Sequence, residues 1–301
     1  MKEFFGILLI IVTLWISSPI VAIFLGISYS IGFNLHQDFI TKSIGSRLLQ
    51  IGIVLLGFTI SITKAFEVAS IYLPSISFLV LFTFFIGILL GKIIGVDKKL
   101  SILIASGAAI CGATAMAAVA PILKAKPQDL LTAITIIFLL NATAIIIFPL
   151  IGSFLDLSQN EFGAWVAMAI HDTSSVIGAA MIYGDTATES AATLKLGRTL
   201  WLIPLVIFLS LQYKNNDQSK AKLPIFVLFF VIAISFGSYL NFSDEIISTI
   251  RILSHSFLLI GLFCIGTQIN KDALSNISMK PLQLSLILWL IVILASYLVV
   301  V

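Results

Sequence analysis

The stretch AAICGATAMAAVAPIL, residues 108–123, lies in an apolar region of the chain but is built from small side chains. It contains a Cys111–Gly112 pair near its middle and Pro121 near its end. Glycine destabilises a helix interior by about 1 kcal/mol relative to alanine. We therefore predict a membrane-embedded helix that breaks near residues 110–112. The alternative is an unbroken helix that packs closely through a face of small residues.

The chain as a whole has the composition of an integral membrane protein. Of its 301 residues, 59% are hydrophobic and 10% are charged, whereas soluble domains carry about 25% charged residues. A surface with so few polar groups needs lipid as its solvent. The composition predicts an all-α polytopic membrane protein, with one transporter domain over residues 1–301 and no appended soluble domain.

About eleven apolar segments are candidate transmembrane helices. A spanning helix needs about 20 residues, and the first two segments fall short of that length. We interpret the first as a short helix rather than a cleaved signal peptide, because no clear small-residue cleavage site precedes Pro19. The predicted segments are 4–17, 19–34, 47–66, 73–95, 99–124, 128–151, 162–183, 193–212, 223–240, 246–270 and 280–301.

The distribution of positive charge predicts the orientation in the membrane. Lys and Arg prefer the cytoplasmic side. With a cytoplasmic N-terminus and eleven spans, 11 of the 17 Lys and Arg residues lie inside. The longest polar connector, residues 213–222, is then cytoplasmic and the C-terminus lies outside. We expect the protein in the cytoplasmic membrane.

Two distant stretches of the chain resemble each other. They are LLQIGIVLLGFTI, residues 48–60, and FLLIGLFCIGTQI, residues 257–269. They lie on the third and tenth predicted spans, so they point in opposite directions, which is typical of the inverted repeats of secondary transporters. The alternative is chance recurrence of Gly and Leu in apolar helices. The glycines that align are Gly52 with Gly261 and Gly57 with Gly266.

A second polar interruption lies within AWVAMAIHDTSSVIGAAMIYG, residues 164–184. Apolar residues flank five consecutive polar ones. Ionisable residues at membrane depth are costly and are functional candidates by default. The alternative is a surface loop between two short elements. Polar breaks in two membrane segments together indicate a transporter binding site. The five residues are His171, Asp172, Thr173, Ser174 and Ser175.

Two basic residues form the third candidate element. Lys195 and Arg198 are three positions apart and share a helix face. Either they extend to the membrane interface, or they face an aqueous cavity and attract an anion, for which the planar guanidinium of Arg is well suited. Asn141, alone in an apolar run, is more simply explained as a hydrogen bond between helices.

These motifs, with IGIVLLGF (51–58) and LKLGR (194–198), resemble the sulfate exporter family of bacterial integral membrane proteins over nearly the whole chain. The resemblance places the chain in the superfamily of cation–proton antiporters and anion transporters, and implies crossed, broken helices. Asp172 stands where the family usually has Glu, Ser175 where it has Gln, and Thr59 where it has Arg. These departures point to a different solute or coupling ion.

Together these observations predict a secondary active transporter, with export as the expected direction, for a small anion such as sulfate or a sulfonate. Alternating access would occur around the broken helices. Asp172 is the predicted carrier of a coupling proton or Na⁺. Positive charge, hydroxyls and the free amides of a helix N-terminus would hold the anion. The predicted solute-binding residues are Cys111, Gly112, Ala113, Thr114, His171, Thr173, Ser174, Ser175, Lys195 and Arg198.

Three other functions compete with this prediction. A cation–proton antiporter would use Asp172 alone as the ion carrier. An intramembrane enzyme would combine His171, Asp172 and Ser174. Residue 172 would however point about 100° away from residue 171 on a helix, which is poor geometry for a proton relay. A channel or a structural subunit is the third alternative.

The sequence predicts few other partners. Cys111 and Cys264 both lie in apolar runs and suggest neither a disulfide nor a metal site. No phosphate-binding or dinucleotide motif is present, so we expect no cofactor and no catalysis. The expected partners are a small anionic solute, H⁺ or Na⁺, and the lipid bilayer. A homodimer is left open, and nucleic acid is not expected.

Overall fold

The computed structural model describes residues 2–33, 35, 41–213, 224–240, 242–267 and 278–301, and their regular structure is entirely helical. In chain order the helices are α1 Lys2–Ile16, α2 Pro19–Phe33, α3 Thr41–Gly57, α4 Ile62–Ile94, α5 Lys98–Ala109, α6 Ala113–Leu123, α7 Pro127–Phe154, α8 Gln159–Ala169, α9 Thr173–Tyr183, α10 Asp185–Thr199, α11 Leu202–Gln212, α12 Ile225–Leu240, α13 Asp244–Gly266 and α14 Met279–Val300.

Five of these segments are long and apolar enough to cross a membrane. They are α4, α7, α13, α14 and the consecutive pair α10–α11. Each has at least the roughly 20 residues that a span requires. The predicted class, an all-helical membrane protein, is confirmed.

The segment 98–123 folds back on itself so that its two ends lie together, which corrects the predicted span over 99–124. α5 has 12 residues and α6 has 11, so each is about 17 Å long. Lys99 Nζ donates a 3.0 Å hydrogen bond to the carbonyl oxygen of Lys124, although one continuous helix would separate these residues by about 37 Å. α5 and α6 therefore form a re-entrant hairpin, called hairpin 1 below.

The segment 159–183 is a second re-entrant hairpin, called hairpin 2, which corrects the predicted span over 162–183. The rings of Phe162 and Tyr183 stack with their centroids 3.8 Å apart, whereas a continuous helix would place these residues about 31 Å apart. α7, with 28 residues, extends about 42 Å between the bases of the two hairpins. The bases of the two hairpins therefore lie at opposite ends of α7.

The buried side chains form two main clusters, which define two helix bundles. The hairpin bundle contains α4, both hairpins, α7, α10, α11 and α14. The α3–α13 bundle contains α2, α3, α12 and α13. Four residues of the hairpin bundle, on α7, α9 and α10, pack into the second cluster and so form the contact between the bundles. These residues are Ile145, Ile177, Ala192 and Leu196.

The two resembling stretches lie on α3 and α13, which pack against each other in opposite directions. A Cβ added to Gly52 would lie 2.8 Å from the Leu258 side chain, and one added to Gly261 would lie 2.8 Å from that of Leu49. Each glycine thus permits a close approach that a larger residue would prevent. The two contacts correspond to each other, because Gly52 and Leu49 each lie 209 positions before Gly261 and Leu258.

Candidate functional site

The tips of the two hairpins meet beside α7. A Cβ added to Gly112, at the tip of hairpin 1, would lie 3.4 Å from the Cβ of Asp172, at the tip of hairpin 2. It would also lie 3.6 Å from Cγ2 of Ile137 on α7. Both helix breaks that the sequence predicts are present, at residues 110–112 and 170–172. Interrupted backbone at membrane depth is tolerated only inside protein or along a water-filled cavity.

Hairpin 1 turns through a backbone conformation that requires glycine. Gly112 has φ 62° and ψ −126°, which a residue without a Cβ adopts readily. Its amide donates a 2.9 Å hydrogen bond to the carbonyl of Gly107. The Cys111 thiol lies against the amide of Ala115. Gly112 has no side chain and so offers α6 no side-chain cap. The amides of Ala113 and Thr114 lie in the first turn of α6, where amides have no helical partners.

Hairpin 2 differs because a carboxylate caps its second helix. Asp172 Oδ2 accepts hydrogen bonds of 3.0 Å and 3.3 Å from the amides of Ser174 and Ser175. This is the common arrangement at a helix N-terminus, where Asp is among the preferred residues. The positive end of the α9 dipole is therefore already matched by a negative side chain, unlike that of α6.

Arg198 joins the ends of α5 and α8, the first helix of each hairpin. Its guanidinium donates from Nε to the carbonyl of Ala109 at 2.7 Å, and from Nη2 to that of Ala108. Nη1 donates to the carbonyls of Ala167 at 3.0 Å and Met168 at 2.6 Å. The side chain thus satisfies four carbonyls that the breaks leave without helical partners.

Lys195 lies one turn from Arg198 and has a related role. Its Nζ donates a 2.7 Å hydrogen bond to the carbonyl of Ile170, just after α8. Its charge also acts on Asp172 across the tips. Lys195 is 0% exposed and Arg198 is 3% exposed, so the interpretation that they extend to the membrane interface is wrong.

The structure gathers the predicted residues around the hairpin tips but gives them different exposure. Asp172, Ser174 and Ala113 are half-buried, and Thr114 is exposed. The remaining predicted residues are buried: Cys111, Gly112, His171, Thr173, Ser175, Lys195 and Arg198.

Two buried polar side chains near the tips have no hydrogen-bond partner among the described residues. Neither ring nitrogen of His171 is paired, and neither amide atom of Asn141 is paired. Both residues are 1% exposed. The hydrogen bond between helices that we expected for Asn141 is absent from this part of the chain, so that interpretation is wrong. The expectation for Asn141 rested on a single amide side chain within an apolar run of sequence.

The comparisons with known proteins agree on one family. The family model described as "Conserved hypothetical protein 698" matches residues 6–285. A UPF0324 membrane protein of Photobacterium profundum is 41% identical and covers 95% of this chain and 87% of its own length. Those of Shewanella oneidensis and Bacteroides thetaiotaomicron are 39% and 37% identical, cover 94% of this chain in each case, and match over 89% and 86% of their own lengths. These names state no solute. No solved structure matches the chain.

Proposed function

Because the chain belongs to the family of UPF0324 membrane proteins, we propose that it is a secondary active transporter whose solute, a small anion, binds where the two hairpin tips meet. The observation that carries this proposal is the contact between Gly112 and Asp172, which brings two helix breaks together inside the membrane. Breaks of this kind are the sites at which secondary transporters bind solutes and ions.

The charges at the tips favour an anion at α6. A helix N-terminus carries about half a positive charge and free amide donors, so it attracts anions. The amides of Ala113 and Thr114 offer such an end. Arg198 and Lys195 bind the carbonyl ends of α5 and α8 and leave their positive charge close to the tips. Sulfate and small sulfonates are the first solutes to test.

The division into two bundles supports alternating access. The hairpin bundle would move against the α3–α13 bundle, across the contact formed by residues such as Ile177 and Leu196. The reciprocal contacts of Gly52 and Gly261 are those expected if α3 and α13 belong to inverted repeats. Inverted repeats supply two related arrangements, one open to each side of the membrane.

The re-entrant hairpins strengthen the charge argument for the proposed orientation in the membrane. Since hairpin 1 returns to the side that it enters from, Lys124 and Lys126 join the cytoplasmic set, which then holds 13 of the 17 Lys and Arg residues. Lys195 and Arg198 are buried, and only Lys64 and Arg251 remain outside. This bias agrees with the positive-inside rule. The N-terminus is then cytoplasmic, the C-terminus is outside, and hairpin 1 enters from the cytoplasm.

The test is uptake of radiolabelled sulfate and sulfonates into proteoliposomes. We expect saturable flux that falls at least tenfold in Gly112→Ala, because an added Cβ strains the tip. Gly32→Ala is the matched control, since a Cβ there would meet nothing within 4 Å. Absence of saturable flux for every small anion tested would overturn the proposal.

Asp172 favours a second candidate function, cation–proton antiport. Its carboxylate is half-buried at the tips and is an ion-binding group at membrane depth. In that case Asp172→Asn abolishes all flux, and Na⁺ or a pH gradient drives exchange without any anion. In the anion transporter, the same variant changes coupling but leaves anion binding measurable.

A further inference from the structure

We propose that Asn141 contacts the transported solute, and that its amide selects a small oxyanion that carries an O–H donor. This inference rests on the proposed function and adds a residue and a solute class to it. Three features of the tips support it: the position of Asn141, its lack of partners, and the acceptors around the tips.

Asn141 lies on the face of α7 that contacts both hairpins. Ile137, one turn before it, lies 3.6 Å from the position of a Cβ on Gly112 at the tip of hairpin 1. Ile145, one turn after it, lies 3.5 Å from that of Gly178 on α9 of hairpin 2. Residues four apart share one face of a helix. The Asn141 amide is therefore held between the two hairpins, at the level of the tips.

The amide of Asn141 has hydrogen-bonding capacity that the surrounding chain does not use. Within the described residues, neither Oδ1 nor Nδ2 has a partner, although the side chain is buried. A buried polar group without a partner is unfavourable, and such groups call for an explanation in a ligand, an ion or water. His171, at the tip of hairpin 2, also has two ring nitrogens without a partner among the described residues.

The groups around the tips accept as well as donate hydrogen bonds. Asn141 Oδ1 is an acceptor, a neutral His171 offers one acceptor nitrogen, and the Asp172 carboxylate is an acceptor beside Gly112. An oxyanion without a proton could accept hydrogen bonds from the amides of α6. Its other oxygens would then face these acceptors with no hydrogen atom between them. An oxyanion with an O–H group satisfies both sides. Inorganic phosphate carries such a group near neutral pH, whereas sulfate does not.

Phosphate and sulfate are therefore a matched pair of probes, because both are small tetrahedral oxyanions. Purified protein is titrated with each anion at pH 7, and binding is measured from the increase in thermal stability. Competition for flux in proteoliposomes gives a second measure of the same affinities. We expect the wild type to prefer phosphate over sulfate by about tenfold, the size of one hydrogen bond to a charged group.

The decisive variant is Asn141→Leu, which replaces the amide by an apolar group of similar size. We expect it to remove the preference for phosphate, and to keep or raise the melting temperature without ligand, because it buries no unpaired polar atom. Thr143→Ala is the control on the same helix, since this threonine is exposed and its hydroxyl donates to the Leu139 carbonyl of its own helix. It should retain the preference.

The possible results separate the two proposals. A wild type that prefers sulfate, or an Asn141→Leu protein that keeps the wild-type preference, overturns the inference and leaves anion transport standing. The second result would mean that Asn141 holds only an internal water. A wild type that neither binds nor transports any small anion overturns the proposed function, and the role of Asn141 with it.

Discussion

Replacing Arg198 by Met tests whether this residue holds the two hairpins together or serves chiefly as a free anion ligand. The guanidinium satisfies the carbonyls of Ala108, Ala109, Ala167 and Met168. Each buried carbonyl left without a partner costs about 1–3 kcal/mol, so four of them imply a loss of at least about 4 kcal/mol. With an unfolding entropy of about 2.1 cal/mol/K per residue, a chain of 301 residues loses about 1.6 °C per kcal/mol, so the melting temperature should fall by at least about 6 °C.

The assay is thermal unfolding of detergent-purified protein without any anion. Arg251→Met is the control, because Arg251 is 46% exposed and pairs with Asp185 at 3.2 Å on the surface. An exposed ion pair contributes about 0–1 kcal/mol, so this variant should melt within about 2 °C of the wild type. Arg198→Lys should be intermediate, since one ammonium cannot serve both hairpins at once. An Arg198→Met protein as stable as the wild type would refute the view that Arg198 holds the two hairpins together.

Three further predictions concern the hairpins. Gly112→Ala should lower the stability by about 1–3 kcal/mol, because an alanine at φ 62° and ψ −126° is strained; unchanged unfolding would contradict the glycine requirement. Asp172→Asn should keep α9 capped and the melting temperature within about 3 °C of wild type, since Asn is as good a cap as Asp, while transport loses its dependence on the coupling ion. Asp129→Asn is its control, because Asp129 is a half-buried carboxylate in the first turn of α7, away from the tips. In whole cells, a membrane-impermeant thiol reagent should label Lys64→Cys but not Lys126→Cys, and the reverse pattern would invert the proposed topology.

The helix breaks could be predicted from residue types alone, but not their consequence for the path of the chain. Gly112 and the polar run from His171 to Ser175 mark the points where helices end. A segment of about 25 residues, however, is long enough either to cross the membrane or to enter and return. The signal for return was present in the charges, because Lys98 and Lys126 lie at the two ends of hairpin 1 and prefer the same side.

The partners of the buried polar residues could not be predicted for a different reason. Lys195 and Arg198 bind backbone carbonyls, which every residue carries, so no sequence pattern identifies their partners. Those carbonyls become available only because the helices break, and they come together only through the tertiary fold. For Asn141 the sequence predicted a hydrogen bond between helices, but the part of the chain that the structure describes places no partner beside the amide.

The four helix ends at the tips explain why one position is open to a ligand. Two of them, the carbonyl ends of α5 and α8, are occupied by Arg198 and Lys195. The third, the amide end of α9, is occupied by Asp172. Only the amide end of α6 lacks a charged partner among the described residues. A buried set of dipoles is most stable when each end meets opposite charge. In the proposed transporter, an anion bound at the α6 amides would complete the set, and its release would expose that end to water.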